Sequence, residues 1–476
     1  MEHTITATNG TDIPWSVSFP LPFRVLALVG LEIVGWGANM HGLDILGMDV
    51  ITAMRMRRET RSRVAPTNGG FKQALSPIHL YRAVYHLFAA YTAWTFLSYV
   101  LYRYLTHDDA RLVDVYRFIP MVTTLSLLGV LICPFNVIEK RERDKFLYAV
   151  RRCMTVSRFK RVYFADVVFA DVLTSFAKVL GDIWISACMF LPNNSLLAIP
   201  KMDGWLKWIH PTVMSLPYLV RFRQCLIEYA HSSNQSRRPF FNAIKYATAF
   251  PVIYLSAAQR RIEEDLVQTQ GSHLVEEVRL GEHPLFRLWL LAAAINSLYS
   301  FWWDVSNDWG LDLLKPSSTD TKHAPPRQLM LPQLHSHTDD LLSGRSPSHL
   351  PSSSLDRPPP TVVHAEHRPY PFGLRPVLLF PLPVYPMVVF LNLVLRLTWS
   401  AKLSSHLHSQ SEGSAVVFWL EVAEIFRRWM WVFLRVEWEV IQREQTGHAR
   451  AVDDDSGLED EPEYELVFAA RDDELP

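Results

Sequence analysis

A long apolar run near the C-terminal end of the chain carries charge in its middle. Residues 415–437 read AVVFWLEVAEIFRRWMWVFLRVE, which is longer than the roughly 20 residues that a helix needs to cross a bilayer. Arg427 and Arg428 lie at its centre, with Glu421 and Glu424 in the preceding turns. Charge inside a spanning helix costs roughly 3 kcal/mol per residue on insertion scales, so it usually faces a cavity or a partner. The run therefore predicts a membrane protein that handles an anion. A helix end whose arginines snorkel to lipid headgroups is an equally open alternative.

Apolar runs of similar length recur along the chain, separated by short charged loops, and predict an all-α polytopic transmembrane bundle. We expect about nine spans, at 21–38, 80–103, 117–138, 164–191, 205–227, 240–258, 284–303, 375–399 and 415–436. Prolines interrupt the fifth span (Pro211, Pro217) and the sixth (Pro251). Spanning helices tolerate proline where neighbouring groups satisfy the freed carbonyls, so both spans stay in the prediction.

The charges of the loops predict the orientation of this bundle. Loop 52–72 holds six basic residues against one acid, and loop 139–161 holds nine against three. Loop 259–283, in contrast, holds six acids against three arginines. Because basic loops stay in the cytosol, the pattern predicts a lumenal N-terminus and a cytosolic C-terminus. Residues 1–20 then form a lumenal segment, followed by a retained helix rather than a cleaved signal peptide.

One segment of different composition interrupts the bundle. Residues 316–370 are rich in Pro, Ser and His and poor in large apolar residues, which predicts a disordered cytosolic linker. Residues 21–315 form the first part of the predicted bundle, and residues 371–440 carry its last two spans. Residues 441–476 form an acidic tail that we expect to be disordered in the cytosol.

Composition and motifs disfavour several functions. The formal net charge of −1 gives no nucleic-acid-binding signature. The four cysteines are scattered without a CxxC spacing, so neither a disulfide framework nor a metal site is predicted. No nucleotide-binding loop, nucleophile elbow or zinc motif is visible. We therefore expect a protein that is not an enzyme and that uses no metal or cofactor.

Four polar residues form a stripe on the fourth predicted span. Counted from Asp171, Ser175, Lys178 and Asp182 follow at offsets of 4, 7 and 11, which puts all four on one helix face. The rest of the span is apolar, so the stripe predicts either the wall of a polar cavity or a hydrogen-bonded seam between helices. We favour the cavity because three of the four residues are ionisable. Asp166, near the mouth of the span, is expected to be a solvated end residue.

Asp304 and Asp308 lie four residues apart at the end of the seventh span and share a helix face. A helix C-terminal turn that ends at Gly310 is the simple reading. Acids are disfavoured near the negative end of a helix, so we expect a cationic partner for this pair.

Cations lie at the ends of two further spans. Arg396 precedes Trp399 by three residues, which allows the two side chains to stack. Lys245 and Tyr246 lie at the start of the sixth span and, taken alone, are typical of interfacial anchors.

Four cationic side chains thus lie in or near the predicted spans: Lys245, Arg396, Arg427 and Arg428. Inorganic phosphate suits such a set, because arginine offers it a bidentate fork and lysine a point charge. Nearby acids could hold the empty site near neutrality, or take up a proton when phosphate arrives.

At these residues the chain resembles the EXS family of membrane proteins, which includes plant and animal phosphate exporters. It also includes a short yeast Golgi branch that is named after a defect in ER retention. The matching stretches are GWGANMHG (35–42), FADVVFAD (164–171), LPNNS (191–195), VRFRQCLIEY (220–229), NAIKY (242–246), WDVSNDWGL (303–311), LRLTW (395–399) and EVAEIFRRWMWVFLRVE (421–437). They occur in order over nearly the whole chain outside the linker and the tail.

The resemblance implies a helical phosphate transporter. The phosphate-coordinating positions implied by it are Asp171, Lys245, Tyr246, Arg396, Arg427 and Arg428. Trp399 is implied as a gate, with Ser175, Asp304 and Asp308 as supporting residues. The chain departs from the exporters at three positions, where Thr174 replaces an Asn, Ala177 a Ser and Asn392 an acid.

The exporters also carry an N-terminal SPX domain, and only about 20 residues precede the first predicted span here. We therefore expect no SPX domain and a protein closer to the short Golgi branch. That branch implies recovery of inorganic phosphate from the Golgi lumen into the cytosol. It also implies support of Golgi glycosylation and retention of glycosyltransferases and lumenal ER proteins, in a multi-pass Golgi membrane protein that cycles with the endoplasmic reticulum.

A non-transporting membrane adaptor is the alternative hypothesis. Its exposed loops, linker or tail would recruit coat or recycling factors to Golgi glycosyltransferases. Beyond phosphate and membrane lipids, a second copy of the chain is a further candidate partner, because the exporters suggest a dimer. A channel-like pore is a third, weaker hypothesis.

Overall fold

We describe a computed structural model over residues 15–48, 50, 54, 77–155, 162–200, 204–231, 236–270, 284–311, 374–375, 378–402 and 413–454. Within these residues every regular element is helical. The α-helices are α1 (Trp15–Ser18), α2 (Leu21–Ile45), α3 (Pro77–Thr106), α4 (Ala110–Val113), α5 (Phe118–Ile132), α6 (Lys140–Met154), α7 (Phe164–Ser175), α8 (Ala177–Met189), α9 (Ile209–Ala230), α10 (Arg238–Ala247), α11 (Ala249–Gln270), α12 (Pro284–Trp303), α13 (Val384–Lys402) and α14 (Gly413–Asp454). A 3₁₀ turn, Gly204–Trp208, precedes α9, and a π-helical turn, Asp304–Asp308, follows α12.

The all-helical prediction is confirmed for these residues, and each predicted span contains helix. Among the described residues, three helical segments are long and apolar enough to cross a membrane: Leu21–Ile45, Ala110–Ile132 and Pro284–Asp308. A fourth apolar helix, Val384–Leu397, is shorter. The number of nine spans and the orientation of the termini stay predictions. Charge and proline within the remaining helices lower their hydropathy, as expected of helices that enclose a polar interior.

Close helix packing explains part of the GWGANMHG stretch on α2. Gly42 packs against the ring of Phe433 on α14, where an added Cβ would lie 2.9 Å from the ring. A small residue allows the two helix backbones to approach, as is common between membrane helices. The stretch therefore brings α2 close to the helix that carries Arg427 and Arg428.

Three helices around the centre of the bundle are broken. The fourth predicted span divides at Phe176 into α7 and α8, and the sixth divides at Thr248 into α10 and α11. Pro251 in the first turn of α11 accounts for the second break, because proline has no backbone N–H to continue the helical ladder. The seventh ends in the π-helical turn, which Gly310 terminates with a φ of +63°. Interrupted membrane helices commonly mark binding sites, so the breaks predict a binding site in this part of the bundle.

The basic helix α6 is fixed to the end of α5 by one arginine. The guanidinium of Arg143 donates to backbone carbonyls around the α5 C-terminus, including those of Val137 at 2.6 Å and Ile138 at 3.0 Å. Burial raises the pKa of the Cys153 thiol on this helix to about 11.

Arg152 forms an ion pair with the buried Asp166. The expectation that Asp166 is a solvated end residue is therefore wrong.

The long helix α14 continues beyond the predicted end of the membrane bundle. It runs to Asp454, so the boundary drawn at residue 440 falls inside the helix. Glu439 pairs with Arg435 at 3.3 Å and Arg443 at 3.1 Å, and such i,i+4 pairs stabilise a helix after the apolar run has ended. The predicted linker, the N-terminal residues 1–14 and the tail after 454 lie outside the described residues.

Candidate anion site

A narrow polar cavity lies where the broken helices meet α13 and α14. Its volume is about 20 Å³, which is room for roughly one water molecule. It is lined by Thr174, Tyr218, Lys245, Tyr246, Asn296, Ser300, Arg396, Glu424, Arg427 and Arg428. Five of the six residues implied as phosphate-coordinating are in this lining. The sixth, Asp171, lies directly behind Tyr246 and accepts a short hydrogen bond from its hydroxyl.

The wall formed by the end of α7 presents hydroxyl groups to an arginine. Arg428 Nε donates to Ser175 Oγ at 3.0 Å, and Arg428 Nη2 donates to Thr174 Oγ1 at 3.0 Å. Ser175 Oγ in turn donates to Glu424 Oε1 at 2.8 Å. We refer to Thr174, Ser175 and Arg428 as the hydroxyl wall.

Arg428 differs from the other cations of the cavity in its partners. Arg428 is 4% exposed, and its guanidinium carbon lies 4.7 Å from the centre of the Trp431 ring. Within the described residues no carboxylate lies within 4.0 Å of it, and its Nη1 atom has no hydrogen-bond partner. Glu32 on α2 is within electrostatic range but forms no such contact. A buried guanidinium held only by neutral hydroxyls retains its attraction for an anion.

The opposite wall is rich in acids. Lys245 Nζ donates to Asp304 Oδ1 at 2.9 Å and to Asp308 Oδ2 at 3.1 Å. Arg396 donates to Asp304 Oδ2 in a short hydrogen bond. The cationic partner expected for the two aspartates is therefore Lys245, supported by Arg396. The π-helical turn places both carboxylates toward the same ammonium group.

Arg427 belongs to this opposite wall although it is adjacent to Arg428. It binds Glu424 in a bidentate pair, with Nε–Oε2 at 2.9 Å and Nη2–Oε1 at 2.6 Å. Its Nη1 atom lies 3.7 Å from Asp304 Oδ2 and donates to Asn392 Oδ1 at 3.2 Å. We refer to the set that shares these contacts as the acid-rich wall: Lys245, Asp304, Asp308, Asn392, Arg396, Glu424 and Arg427.

The charges in contact around the cavity do not cancel. Four cations, Lys245, Arg396, Arg427 and Arg428, face three contacting acids, Glu424, Asp304 and Asp308. With all of these groups ionised, one positive charge remains, and Arg428 is the cation without an ion pair among the described residues. The arrangement suits an anion with several oxygen acceptors, because arginine donors and hydroxyls converge on one cavity.

Asp171 is neutralised by a residue that the sequence prediction did not include. Arg221 Nε donates to Asp171 Oδ1 at 2.9 Å and to Tyr246 Oη at 3.2 Å. Its Nη1 atom donates to Gln224 Oε1 at 2.6 Å. Asp171 therefore acts through Tyr246, which lines the cavity, rather than at the cavity itself. The available signal was an arginine inside the VRFRQCLIEY stretch of a predicted span.

The burial of four cavity residues overturns two interpretations of the sequence. Arg427 and Arg428 are buried, so the snorkelling alternative is wrong. Lys245 and Tyr246 are buried too, so they are not interfacial anchors. The Trp399 side chain lies outside the described residues, and its stacking on Arg396 and its gating role stay predictions.

The polar stripe of the fourth span forms a hydrogen-bonded seam. Asp171, Ser175, Lys178 and Asp182 are all buried and bind neighbouring side chains, and none of them lines the cavity. Thr174 supplies the cavity contact instead. The preference for a cavity wall over a seam was therefore wrong for Asp171, Lys178 and Asp182, whereas Ser175 belongs to the hydroxyl wall through its bonds to Arg428 and Glu424.

The family of the chain follows from comparison with known proteins. The model of the EXS family matches residues 19–441, and the chain belongs to the EXS family. The resemblance inferred from the sequence is confirmed.

Curated relatives cover most of the chain. Protein ERD1 homolog 1 of Schizosaccharomyces pombe is 27% identical over 431 residues, which cover 88% of this chain and 91% of the relative. Protein ERD1 of Kluyveromyces lactis is 28% identical over 320 residues, which cover 63% of this chain and 68% of the relative. Phosphate transporter PHO1 homolog 8 of Arabidopsis thaliana is 22% identical over 322 residues, which cover 67% of this chain and 33% of the relative.

Proposed function

We propose that the protein is an inorganic phosphate transporter of the Golgi membrane. The proposal rests first on Arg428, a buried guanidinium that lines the narrow polar cavity, bonds to hydroxyls and has no ion pair in the described part of the chain. A monovalent or divalent oxyanion would supply the missing acceptors and offset the remaining positive charge. Membership of the EXS family and similarity to a protein named as a phosphate transporter favour phosphate among such anions.

The proposed direction of transport is from the Golgi lumen to the cytosol. Similarity to proteins named ERD1 supports a Golgi role over export from the cell. Returning phosphate to the cytosol would support Golgi glycosylation and the retention of glycosyltransferases and lumenal ER proteins. The predicted orientation, with basic loops in the cytosol, makes the direction testable in sealed Golgi vesicles.

The test is radioactive phosphate flux in proteoliposomes that contain the purified full-length chain. We expect flux with the wild type and its loss with Arg428→Ala, because the alanine removes the unpaired donor group. Arg435→Ala is the matched control on the same helix, two turns further on, where Arg435 pairs with Glu439 away from the cavity. The control should transport at close to the wild-type rate.

The other outcomes decide between the hypotheses. Flux that persists in Arg428→Ala keeps transport but moves the anion site elsewhere. No flux in any sample of folded protein contradicts transport and favours the adaptor. Deleting residues 316–370 then tests the adaptor directly, because an adaptor that uses this segment should lose its function in cells, whereas a transporter should largely keep it.

A further inference from the structure

A second buried group of charges lies beside the hydroxyl wall. Lys178 on α8 forms an ion pair with Asp182, and its Nζ atom lies 3.7 Å from Glu421 Oε1 on α14. The three side chains are only 4–7% exposed. We refer to Lys178, Asp182 and Glu421 as the outer cluster. The anion site described above does not use it.

The outer cluster is connected to the anion site along two helices. On α14, Glu421 precedes Glu424 by three residues, and residues three apart on a helix are neighbours at about 5–6 Å between Cβ atoms. Across the break at Phe176, Lys178 of α8 follows Ser175, the last residue of α7, by three residues. Ser175 and Glu424 bind each other at 2.8 Å, so both connections start from one hydrogen bond at the edge of the cavity. Glu421 is therefore one helical turn from Glu424 in the cavity lining and two turns from Arg428.

Further charged and titratable groups on neighbouring helices lie near the outer cluster. Arg24 on α2 is within electrostatic range of Asp182 and Glu421. His210 on α9 is within range of Lys178 and Asp182, and its buried Nε2 atom has no hydrogen-bond partner among the described residues. Arg260 on α11 is within electrostatic range of His210, and Glu32 on α2 is within range of Arg428.

Counted together, two carboxylates face two cations, Lys178 and Arg24. This balance changes when an anion arrives nearby. A bound anion opposes the positive potential of Arg428 and Lys178 at the carboxylates, and the low dielectric of the buried site strengthens the effect. Glu421 is one helical turn from Glu424 in the cavity lining, whereas Asp182 lies further along α8 from Ser175. Glu421 is therefore the carboxylate nearer to the anion, and its proton affinity should rise most when the cavity is filled.

We propose that Glu421 binds a proton when phosphate occupies the cavity, so that the protein moves protons and phosphate together. The proton comes from the aqueous phase that supplies phosphate and adds to a carboxylate oxygen of Glu421. It leaves to water on the other side when phosphate departs, and no other bond is made or broken. The inference rests on the proposed function, which it extends by naming the coupled ion.

The experiment compares two assays in proteoliposomes that contain the purified full-length chain. The first measures accumulation of radioactive phosphate driven by a proton gradient, with the external pH and the membrane potential held constant. The second measures exchange of labelled for unlabelled phosphate without a gradient. One-to-one coupling allows about tenfold accumulation per pH unit, which the wild type should approach. Exchange requires the anion path but no net proton movement.

We expect Glu421→Gln to exchange phosphate within about twofold of the wild-type rate and to lose gradient-driven accumulation. Asp182→Asn is the second variant, in case the first does not fold, and it should separate the two activities in the same way. Glu439→Gln, on the same helix and paired away from the cavity, should keep both activities.

Other results overturn the inference. Wild-type exchange without gradient-driven accumulation contradicts proton coupling and leaves phosphate transport standing. Accumulation that survives in Glu421→Gln, or that is lost in Glu32→Gln instead, contradicts the assignment to the outer cluster. Loss of exchange in both Glu421→Gln and Asp182→Asn would assign the cluster to the framework of the bundle. Absence of any phosphate movement in the wild type rejects the proposed function and this inference together.

Discussion

The two walls of the cavity place adjacent arginines in opposite electrostatic settings. On the acid-rich wall, Arg427 is 1% exposed and is bound by Glu424 and Asn392. On the hydroxyl wall, Arg428 is 4% exposed and is bound by Thr174 and Ser175. One residue of helix rotates a side chain by about 100°, which directs the two guanidinium groups to different neighbours. Similar burial thus accompanies very different compensation of charge.

This difference separates groups that hold the bundle together from groups available to an anion. A buried cation that has lost its hydration needs ion pairs or hydrogen bonds in return. The carboxylates of the acid-rich wall meet that need inside the protein. The hydroxyl wall offers only neutral acceptors, so an anion from outside can add to it without displacing a carboxylate. We therefore expect the loss of an acid from the acid-rich wall to reduce stability, and changes on the hydroxyl wall to affect transport.

The largest effect should come from Asp304→Ala on the acid-rich wall. Asp304 is fully buried and contacts Lys245, Arg396 and Arg427, so its removal leaves three cations with fewer acids. Removing one partner of a buried ion pair lowers the free energy of unfolding by about 3–5 kcal/mol. We expect a loss of this size in the free energy of unfolding, measured by thermal or denaturant unfolding of the protein purified in detergent.

Glu439→Ala is the control for this loss, because Glu439 pairs with two arginines at a partly exposed position on α14. Exposed pairs contribute about 0–1 kcal/mol. Equal destabilisation by Asp304→Ala and Glu439→Ala would contradict the structural role assigned to the acid-rich wall.

Asn392→Asp tests whether the remaining positive charge serves the anion. Asn392 donates to Asp304 at 3.4 Å and accepts from Arg427 at 3.2 Å, so a carboxylate there would sit between an acid and a cation of the cavity. The added negative charge cancels the positive charge left among the contacting groups. We expect the KM for phosphate to rise about tenfold, or ~1.4 kcal/mol of binding free energy.

The matched control is Asn136→Asp, which adds the same charge at an exposed loop position. Its KM should equal that of the wild type. An unchanged KM in Asn392→Asp would show that phosphate does not depend on the charge balance of the cavity. Increased affinity would assign Asn392 a contact with the anion that an acid improves.

Sequence patterns predicted the helices well, because hydropathy over about 20 residues reports directly on burial in a membrane or a bundle. They also predicted that the acids at the end of α12 need a cation, because that conclusion depends on local helix electrostatics. The identity of the cation, Lys245, could not be predicted in this way. It lies 59 residues from Asp304 in sequence, and a local pattern contains no information on such a pairing.

The same limit explains what the sequence left out of the site. Arg428 binds Ser175 across 253 residues of sequence, and Arg221 binds Asp171 across 50. The break at Phe176 separates the seam residues of α7 from those of α8. No proline lies there, so the sequence did not predict the break. Helical spacing placed Ser175 and Lys178 correctly on one face. Which neighbours that face would meet depended on packing between distant helices.

The smallest effect should come from Thr174→Val, which removes one hydroxyl of the hydroxyl wall and keeps the shape of the side chain. Thr174 Oγ1 accepts from Arg428 Nη2 at 3.0 Å and donates to the Asp171 carbonyl at 2.7 Å. One hydrogen bond to a charged group contributes about 1.5–3 kcal/mol when intact, and a bound anion can replace part of it. We therefore expect roughly a fivefold decrease in phosphate flux at limiting phosphate, corresponding to ~1 kcal/mol.

Thr174→Asn sharpens this prediction, because the resemblance to the exporters implies Asn at this position and its amide oxygen can still accept from Arg428. The flux of this variant should stay within about twofold of the wild type. Thr123→Val, in which the lost hydroxyl bonds only to the Ile119 carbonyl on α5, controls for the removal of a buried threonine hydroxyl far from Arg428. If Thr174→Val and Thr123→Val reduced flux equally, the hydroxyl wall would have no special role in holding Arg428. If only Thr174→Val reduced flux, the neutral acceptors of that wall would be what keeps Arg428 oriented toward the cavity and available to the anion.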